Sequence, residues 1–275
     1  MNGNGYGGAA DKDAYSARLH DLYRTADKRY SAAVGDFCTP REFFVLSGIL
    51  KDEFSGEDVK RAVFYGGYDG ADRKKLFILP DYLLPGADTY EEDTRQLFSE
   101  EISLLLIEGS GYETLSHRDY MGALLGLGIK RSVLGDIICC GDSLAYALTD
   151  AKMADFISQN LSSVGRDRVK IKVLPLYPTP CELESAVRTE KVTFTAASMR
   201  ADGVLSALTS ISRERAKSII ASGLFEVNYV PVLKPDAELH EGDIISARGF
   251  GKYIIGQCTS ATRRGRLRVL AEKYI

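Results

Sequence analysis

Apolar positions recur with helical and then with strand periodicity along the first 85 residues. Tyr15, Leu19 and Tyr23 lie on one face of a helix predicted near 14–33. Thr39-Pro40 predicts a second helix start, with an N-cap followed by proline at the first helical position. The apolar runs AVFYGGY and KKLFILP flank a Gly/Asp turn and predict a β-hairpin. Residues 12–85 are thus predicted to form a small α/β unit, after a Gly-rich disordered leader over residues 1–11.

The pattern changes from residue 86 to residue 175. The predicted elements, in order, are a strand (102–108), a helix (117–127), two strands (136–140 and 144–148) around the turn Gly141-Asp142, a helix capped by Asp150 (150–160) and a strand (169–174). This β-α-β-β-α-β order is that of ferredoxin-like domains, which include the RRM-like domains. Only Tyr146 is an aromatic residue in a suitable strand, so we do not expect bases to stack on this sheet.

The last segment, residues 197–275, begins with two short helices and continues in strands. Val204, Leu205 and Leu208 give the first helix an apolar face, and Ser212 and Gly223 are suited to cap the start and the end of the second. Residues 176–196 contain Pro178 and Pro180 and are predicted to connect this segment to the one before it, with residues 191–196 partly helical or stranded. The whole chain is therefore predicted to be an α+β protein.

Charge is distributed unevenly. Residues 197–275 contain 12 lysines and arginines and 8 aspartates and glutamates, a net charge of +4, so the remaining residues carry −7 of the total of −3. A basic segment in an acidic chain favours local recognition of an anion over general coating of nucleic acid. The acidic remainder is a candidate surface for a protein partner.

Two groups of cations in this segment are candidates for phosphate binding. Arg213 and Lys217 lie four residues apart on one helix, where like charges cost a few tenths of a kcal/mol that a bound phosphate would reverse. A run of arginines over residues 263–268 is predicted to form a cationic hairpin tip. The alternative interpretations are a solvated helix face and a charged, solvated turn.

The order of motifs in this segment resembles the RNA-binding domain of the ribosomal protein S-four type. The matching residues are Arg200, Asp202, Ser212, Arg213, Ala216, Ile220, Gly223, Val227, Asn228, Gly242, Asp243, Ile244, Arg248 and Gly249. Tyr229 departs from the pattern, which has glycine there. On this interpretation the RNA contacts are Arg200, Arg213, Arg215, Lys217, Arg248, Lys252, Arg263, Arg264, Arg266 and Arg268. Asn228 is expected to hold a turn, and Asp202 and Asp243 are expected to cap or turn the backbone.

A second resemblance covers nearly the whole chain. The segments GGYDGADRKKLFILPDYL (66–83) and LSHRDYMGALLGLGIKRSVLGDI (115–137) resemble the YlmH family of bacterial RNA-binding proteins. The resemblance implies three parts with an RRM-like centre and a role in translation, since relatives associate with the large ribosomal subunit and stalled nascent chains. Lys130 and Arg131 are candidates for a secondary RNA contact, the alternative being exposed loop charges.

Motifs of several enzyme classes are incomplete. His117-Arg118-Asp119 lacks the asparagine that a kinase catalytic loop needs, no G-x-G-x-x-G joins a strand to a helix, and no G-x-S-x-G occurs. The five cysteines have no C-x-x-C spacing and do not cluster with the three histidines, so no metal is predicted. No cofactor is predicted, and the cysteine usage fits a reducing cytoplasm.

These observations together predict a non-enzymatic binder of structured RNA. The expected partner is ribosomal RNA or tRNA on the large ribosomal subunit, in translation or ribosome quality control, without a membrane. The alternatives are an RNA-modifying enzyme, such as a pseudouridine synthase or RNA methyltransferase, and an adaptor for the ribosome or for cell division.

Overall fold

Helices and strands build several separate sheets, in the mixed arrangement expected of an α+β protein. The computed structural model describes residues 9–83, 92–184, 189–259 and 266–274. The chain divides into two units, Met1–Ala186 and Val187–Ile275. The described strands form sheets of three and five strands in the first unit and of six strands in the second.

The first unit begins with a layer of helices and a small antiparallel sheet, called here the N-terminal layer. Its elements are α1 (Ala9–Arg29), β1 (Ala33–Cys38), α2 (Pro40–Glu53), α3 (Glu57–Arg61), β2 (Ala62–Tyr65) and β3 (Lys74–Ile78). The strand order is β1-β3-β2. The predicted hairpin corresponds to β2 and β3, which pair directly.

The start of α2 was predicted correctly, whereas the bounds of α1 and the strand β1 were not. Thr39 and Glu42 form a capping box, with Pro40 as the first helical residue. α1 ends at Arg29 because Tyr30 adopts a left-handed backbone with φ of 50°. Residues 9–11 of the predicted leader belong to α1, and residues 1–8 lie outside the described part of the chain.

The larger sheet of the first unit follows. Its elements are a short 3-10 helix (Asp81–Leu83), α4 (Glu92–Glu101), β4 (Ile102–Gly109), α5 (His117–Gly126), a second 3-10 helix (Arg131–Val133), β5 (Leu134–Cys139), β6 (Leu144–Asp150), α6 (Ala151–Asn160), β7 (Ser163–Val164), β8 (Asp167–Leu174) and α7 (Cys181–Glu184). The strands pair antiparallel in the order β5-β6-β4-β8-β7. β4 therefore lies at the centre of this sheet, between β6 and β8.

Both faces of this sheet are covered over much of their area. On one face, Leu105 and Ala147 pack with Tyr120 of α5 and Ile157 of α6. The opposite face packs against the N-terminal layer and α4. Leu104, Tyr146 and Leu148 of the sheet share this second core with Phe37, Val63, Phe77 and Phe98. The sheet is thus the middle of three layers.

Buried charges cross the contact between the N-terminal layer and the sheet. Arg73 donates from Nε to the carbonyl of Leu134 (2.8 Å) and from Nη2 to the carbonyls of Phe37 (3.0 Å) and Arg131 (3.1 Å). Asp136 accepts from the Tyr68 hydroxyl at 3.0 Å and from two backbone N–H groups of residues 72 and 73. The two segments that carry the resemblance to YlmH therefore meet in space.

Lys75 is a second buried cation at this contact. Its side chain is 2% exposed, and its ammonium donates to Asp150 Oδ2 at 2.9 Å and to the carbonyl of Glu101 at 3.1 Å. Asp150 also caps α6 by accepting from the N–H of Lys152. One carboxylate thus fixes a strand of the N-terminal layer and the start of a helix.

The second unit is a single sheet with two helices. Its elements are β9 (Thr189–Ala196), α8 (Ala201–Thr209), α9 (Arg213–Ala221), β10 (Phe225–Val227), β11 (Val230–Pro231), β12 (Ile244–Ala247), β13 (Gly251–Thr259) and β14 (Leu267–Tyr274). The strands are antiparallel in the order β11-β10-β12-β13-β14-β9. Val204 of α8 and Ile220 of α9 pack on Phe225, Ile245 and Val269 of this sheet.

β9 extends the second unit beyond its predicted start. The sequence analysis placed residues 189–196 in the connection, but they pair with β14 from Thr189–Tyr274 to Ala196–Leu267. Its Phe194 and Ala196 are buried in the same core as the two helices. The predicted boundary between residues 85 and 86 stays a prediction, since both of its sides lie in the first unit.

Substitution of Lys75 tests the buried charges. We expect Lys75→Met to lower the free energy of unfolding by about 2–3 kcal/mol, because Asp150 and the Glu101 carbonyl lose their donor in a dry environment. Lys74→Met, on the next residue of β3, is the control. It removes only a contact with the Phe43 ring at 5.0 Å, worth roughly 0.5–1 kcal/mol. Urea denaturation of the full chain measures both. Equal, small losses would contradict a stabilising role for Lys75.

Candidate nucleic-acid interface

Two of the predicted RNA-binding arginines converge on one buried carboxylate in the second unit. Asp202, near the start of α8, has a side chain that is 1% exposed. Arg213 donates to it from Nε (3.1 Å) and Nη2 (3.3 Å), and Arg200 donates from Nε (3.3 Å). The N–H of Gly203 donates to the same carboxylate at 2.8 Å. Asp202 therefore ties together the starts of α8 and α9.

The electrostatics keep this carboxylate charged. Burial by itself raises the pKa of Asp202, but the hydrogen bonds and charges of Arg213 and Arg200 outweigh it and hold the pKa below its ordinary value. The side chains of Arg200 and Arg213 are 45% and 51% exposed. One negative charge thus orients two guanidinium groups that still face solvent and together keep an excess positive charge.

The helix α9 begins with a side-chain cap. The Ser212 hydroxyl accepts from the N–H of Arg215 at 3.2 Å, as its position in the sequence predicted. Lys217 pairs with Glu214 at 2.8 Å on the exposed face of the helix. The Arg215 side chain is exposed and has no hydrogen-bonding or ionic partner among the described residues.

These contacts change the interpretation of Arg213 and Lys217. The repulsion inferred from their spacing is offset within the protein, because Asp202 pairs with the first and Glu214 with the second. An external anion is therefore not needed to neutralise either cation. The pairing with Asp202 joins residues eleven positions apart, a separation that helical periodicity does not reveal. The spacing of Arg200 and Asp202 was the sequence signal that a carboxylate lies beside these arginines. The sequence analysis instead expected Asp202 to cap or turn the backbone.

The turn between β10 and β11 explains why the S-four pattern has glycine where this chain has tyrosine. Asn228 and Tyr229 have φ of 51° and 63°, as in a two-residue type I′ turn, which favours glycine. Asn228 donates to Asp243 Oδ1 at 2.8 Å, and its side-chain oxygen accepts from the N–H of Ile244 at 2.9 Å. These bonds give Asn228 the turn-holding geometry that the sequence analysis expected.

The other predicted contacts in the second unit lie at its hairpins. Arg248 is exposed directly after β12, and Lys252 on β13 lies over the rings of Tyr229 (5.1 Å) and Tyr274 (4.3 Å). Arg266 donates to the carbonyl of Thr195 at 3.0 Å. Arg268 is exposed on β14, and the predicted tip residues Arg263 and Arg264 lie outside the described residues.

In the first unit, Lys130 and Arg131 differ in placement. Lys130 is exposed, but Arg131 is half-buried and donates from Nη1 to the carbonyls of Leu134 (3.0 Å) and Gly135 (3.2 Å). Burial, together with the neighbouring charge of Arg73, lowers the pKa of Arg131 to about 10. Arg131 does not project freely beside the strand, as the sequence suggested, because its guanidinium is engaged with the backbone.

The sheet of the first unit offers no accessible ring at Tyr146. This side chain is 8% exposed and lies in the core shared with the N-terminal layer. Base stacking on this face, the usual mode of RRM domains, is blocked at that position. Any RNA contact of this domain must therefore use its other, uncovered surfaces.

The described residues contain neither a metal-binding cluster nor a membrane-spanning helix. No group of three or more histidine, cysteine, aspartate or glutamate side chains is placed to hold a metal ion among them. Within the same residues, no helix combines the length and the apolar character needed to cross a membrane.

Comparison with known proteins gives three similarities. Residues 99–177 match the family model described as "Putative RNA-binding domain in YlmH". The chain is 28% identical over 263 residues to the "Ribosome-associated protein quality control protein P2" of Bacillus subtilis (strain 168), covering 96% of this chain and 95% of that protein. The solved "Cell division protein ylmH from Streptococcus pneumoniae" is 18% identical, with a TM-score of 0.47, and the match covers 64% of this chain and 99% of that one. The resemblance to the YlmH family is thus supported through residues 99–177, which match that family's domain model.

Proposed function

We propose that this chain is a YlmH-type protein that binds structured RNA without catalysing a reaction. Its RNA is ribosomal RNA or tRNA on the large ribosomal subunit, and its process is ribosome quality control in the cytoplasm. The match of residues 99–177 to an RNA-binding domain model supports the ligand class. The name of the relative from Bacillus subtilis, which is aligned over nearly its whole length, supports the ribosomal setting.

The topology supports the finer domain assignment within this proposal. The strand order β5-β6-β4-β8, with α5 and α6 packed on one face, fits a ferredoxin-like, RRM-like domain. The pair α8–α9, followed by the hairpins β10–β13, fits an S-four-type RNA-binding domain. On this assignment β9 belongs to the S-four-type domain as an added edge strand.

The observation that carries the proposal is the pair of arginines held by Asp202. Two half-exposed guanidinium groups on a fixed carboxylate lose little conformational freedom when they bind a phosphate. Arg215, in the first turn of α9, extends this cationic surface from the capped helix start. The surface is suited to the RNA backbone, whereas a base-reading role would require exposed rings or amides.

The first prediction divides the chain between its two units. A fragment of residues 187–275 should retain RNA binding, and residues 1–186 should bind at least about tenfold more weakly at moderate salt, because positive charge is concentrated in the second unit. The fragment must begin at 187, since a start at 197 would remove β9 from its sheet. Filter binding to one structured RNA measures both. Equal affinities would contradict the assignment of the principal site to the second unit.

The second prediction separates anchoring from binding. Arg213→Ala should weaken RNA binding and also lower the free energy of unfolding by about 1–2 kcal/mol, because the buried Asp202 loses two hydrogen bonds. Arg215→Ala, the matched control, should weaken RNA binding with a stability change below about 0.5 kcal/mol. Titration calorimetry and urea denaturation measure the two effects. RNA affinity unchanged in both variants would argue against this helix surface.

The third prediction concerns pH. A carboxylate whose pKa is lower in the folded protein stabilises the fold above its unfolded pKa of about 3.9, and this stability is lost as the pH falls through the folded pKa. Asp202→Asn should therefore be less stable than the natural protein at pH 7, and the difference should shrink progressively below about pH 4. Urea denaturation at several pH values tests this. A difference independent of pH would show that the charge of Asp202 contributes nothing.

A further inference from the structure

A row of cations on β8 was not singled out by the sequence analysis. Arg168, Lys170 and Lys172 alternate along this strand, and all three are exposed. Val169 and Ile171 between them face the core with α5 and α6. The three cations, called here the β8 row, therefore point from the opposite face of the sheet, about 6.6 Å apart at the usual rise per residue. Arg166, exposed in the preceding turn, extends the row.

The β8 row occupies the part of this face that the N-terminal layer leaves uncovered. Leu174, at one end of β8, packs against the core shared with that layer. Further from Leu174 along β8, Lys172 lies opposite Leu106 and Lys170 lies opposite Glu108, near the C-terminal end of β4. The face thus changes from apolar and buried to basic and exposed within one strand.

Acidic neighbours leave most of this charge uncompensated. Lys172 pairs with Glu108 at 2.7 Å. Among the described residues, the side chains of Arg168 and Lys170 have no hydrogen-bonding or ionic partner. Asp167 is buried and accepts from the backbone N–H groups of Ser110 and Gly111, so it holds the strand start and does not neutralise the row. Glu113 lies beside Gly165 in the turn before β8.

Protection of a sheet edge is the simpler explanation, and it accounts for only part of the row. Lysines on edge strands hinder pairing with other chains, and among the described residues positions 170–174 of β8 pair on one side alone, with β4. Arg168, however, pairs with Ser163 of β7, and its carbonyl accepts from the N–H of Ser110 directly after β4, so it has backbone neighbours on both sides. Arg166 lies in a turn. A protective role therefore explains Lys170 and Lys172 but leaves both arginines unexplained.

We propose that the β8 row binds the phosphate backbone of RNA as a second contact surface, separate from that of the second unit. Evenly spaced, exposed cations on a rigid strand suit consecutive phosphates of one RNA strand, and only Lys172 of the three has an acidic partner among the described residues. Tyr112, 76% exposed in the loop after β4, has its backbone N–H bonded to the carboxylate of Asp167 at the start of β8, so its ring could stack on a base of the same RNA strand. The inference rests on the proposed function for its ligand class and adds a site within residues 99–177.

A variant of the full chain in which the three cations of the β8 row are replaced by uncharged side chains tests this site. Arg168, Lys170 and Lys172 are all changed to Gln and compared with a control in which Arg24, Lys60 and Lys152, exposed elsewhere in the first unit, are changed to Gln. Both variants remove the same charge. Binding to two unrelated RNA hairpins is titrated against salt. The β8 variant should lose about 2–3 from the log–log salt slope, at roughly 0.7–0.9 per phosphate contact, equally on both hairpins. The control should change it by less than about 1.

The outcomes separate the proposals. A slope equal to that of the control would overturn the β8 site while leaving RNA binding by the second unit intact. Increased self-association of that variant would then favour edge protection. Absence of RNA binding by the natural chain would overturn both proposals. As a measurement that needs no variant, ultraviolet crosslinking of the natural chain should label peptides containing residues 112 and 166–172. If the crosslinked peptides of the natural chain all came from residues 187–275, the β8 site would be contradicted.

Discussion

The contact between the N-terminal layer and the five-stranded sheet depends on charges buried where the two meet. Arg73 donates to three backbone carbonyls, one on β1 and two at or just before the start of β5, and Asp136 accepts from the loop that carries Arg73. Removing either side of such a network leaves polar groups without partners in a dry environment. Apolar packing alone would allow the layer to slide over the sheet, whereas these directional bonds permit one register.

This docking decides which surfaces remain for ligands. The layer covers Tyr146 and the apolar half of the sheet face, while α5 and α6 cover the other side. The segment that matches an RNA-binding domain model therefore does not expose Tyr146 on this sheet for stacking against a base. The fold instead exposes cationic side chains, at the uncovered end of β8 in the first unit and around Asp202 in the second.

Periodicity predicted much of this structure because most elements pack through one apolar face. The hairpin β2–β3, the strands β4, β5, β6 and β8, and the capped helices α2 and α9 all follow from local patterns. The sequence left residues 191–196 open between helix and strand, because the assignment of β9 depends on pairing with β14, far along the chain. The bond from Arg213 to Asp202 and the coverage of Tyr146 are also products of tertiary contact, and a local pattern contains no trace of them.

The pairing of β9 with β14 also bears on how the second unit is made. β9 leaves the ribosome before every other described element of its sheet. It can pair only after β14 has been synthesised, because β14 is its one strand neighbour among the described residues. Until then its buried-side residues, Phe194 and Ala196, lack part of their core. The sheet is therefore complete only after synthesis of residues 267–274, and a chain truncated before them would carry an open edge that quality-control proteases can recognise.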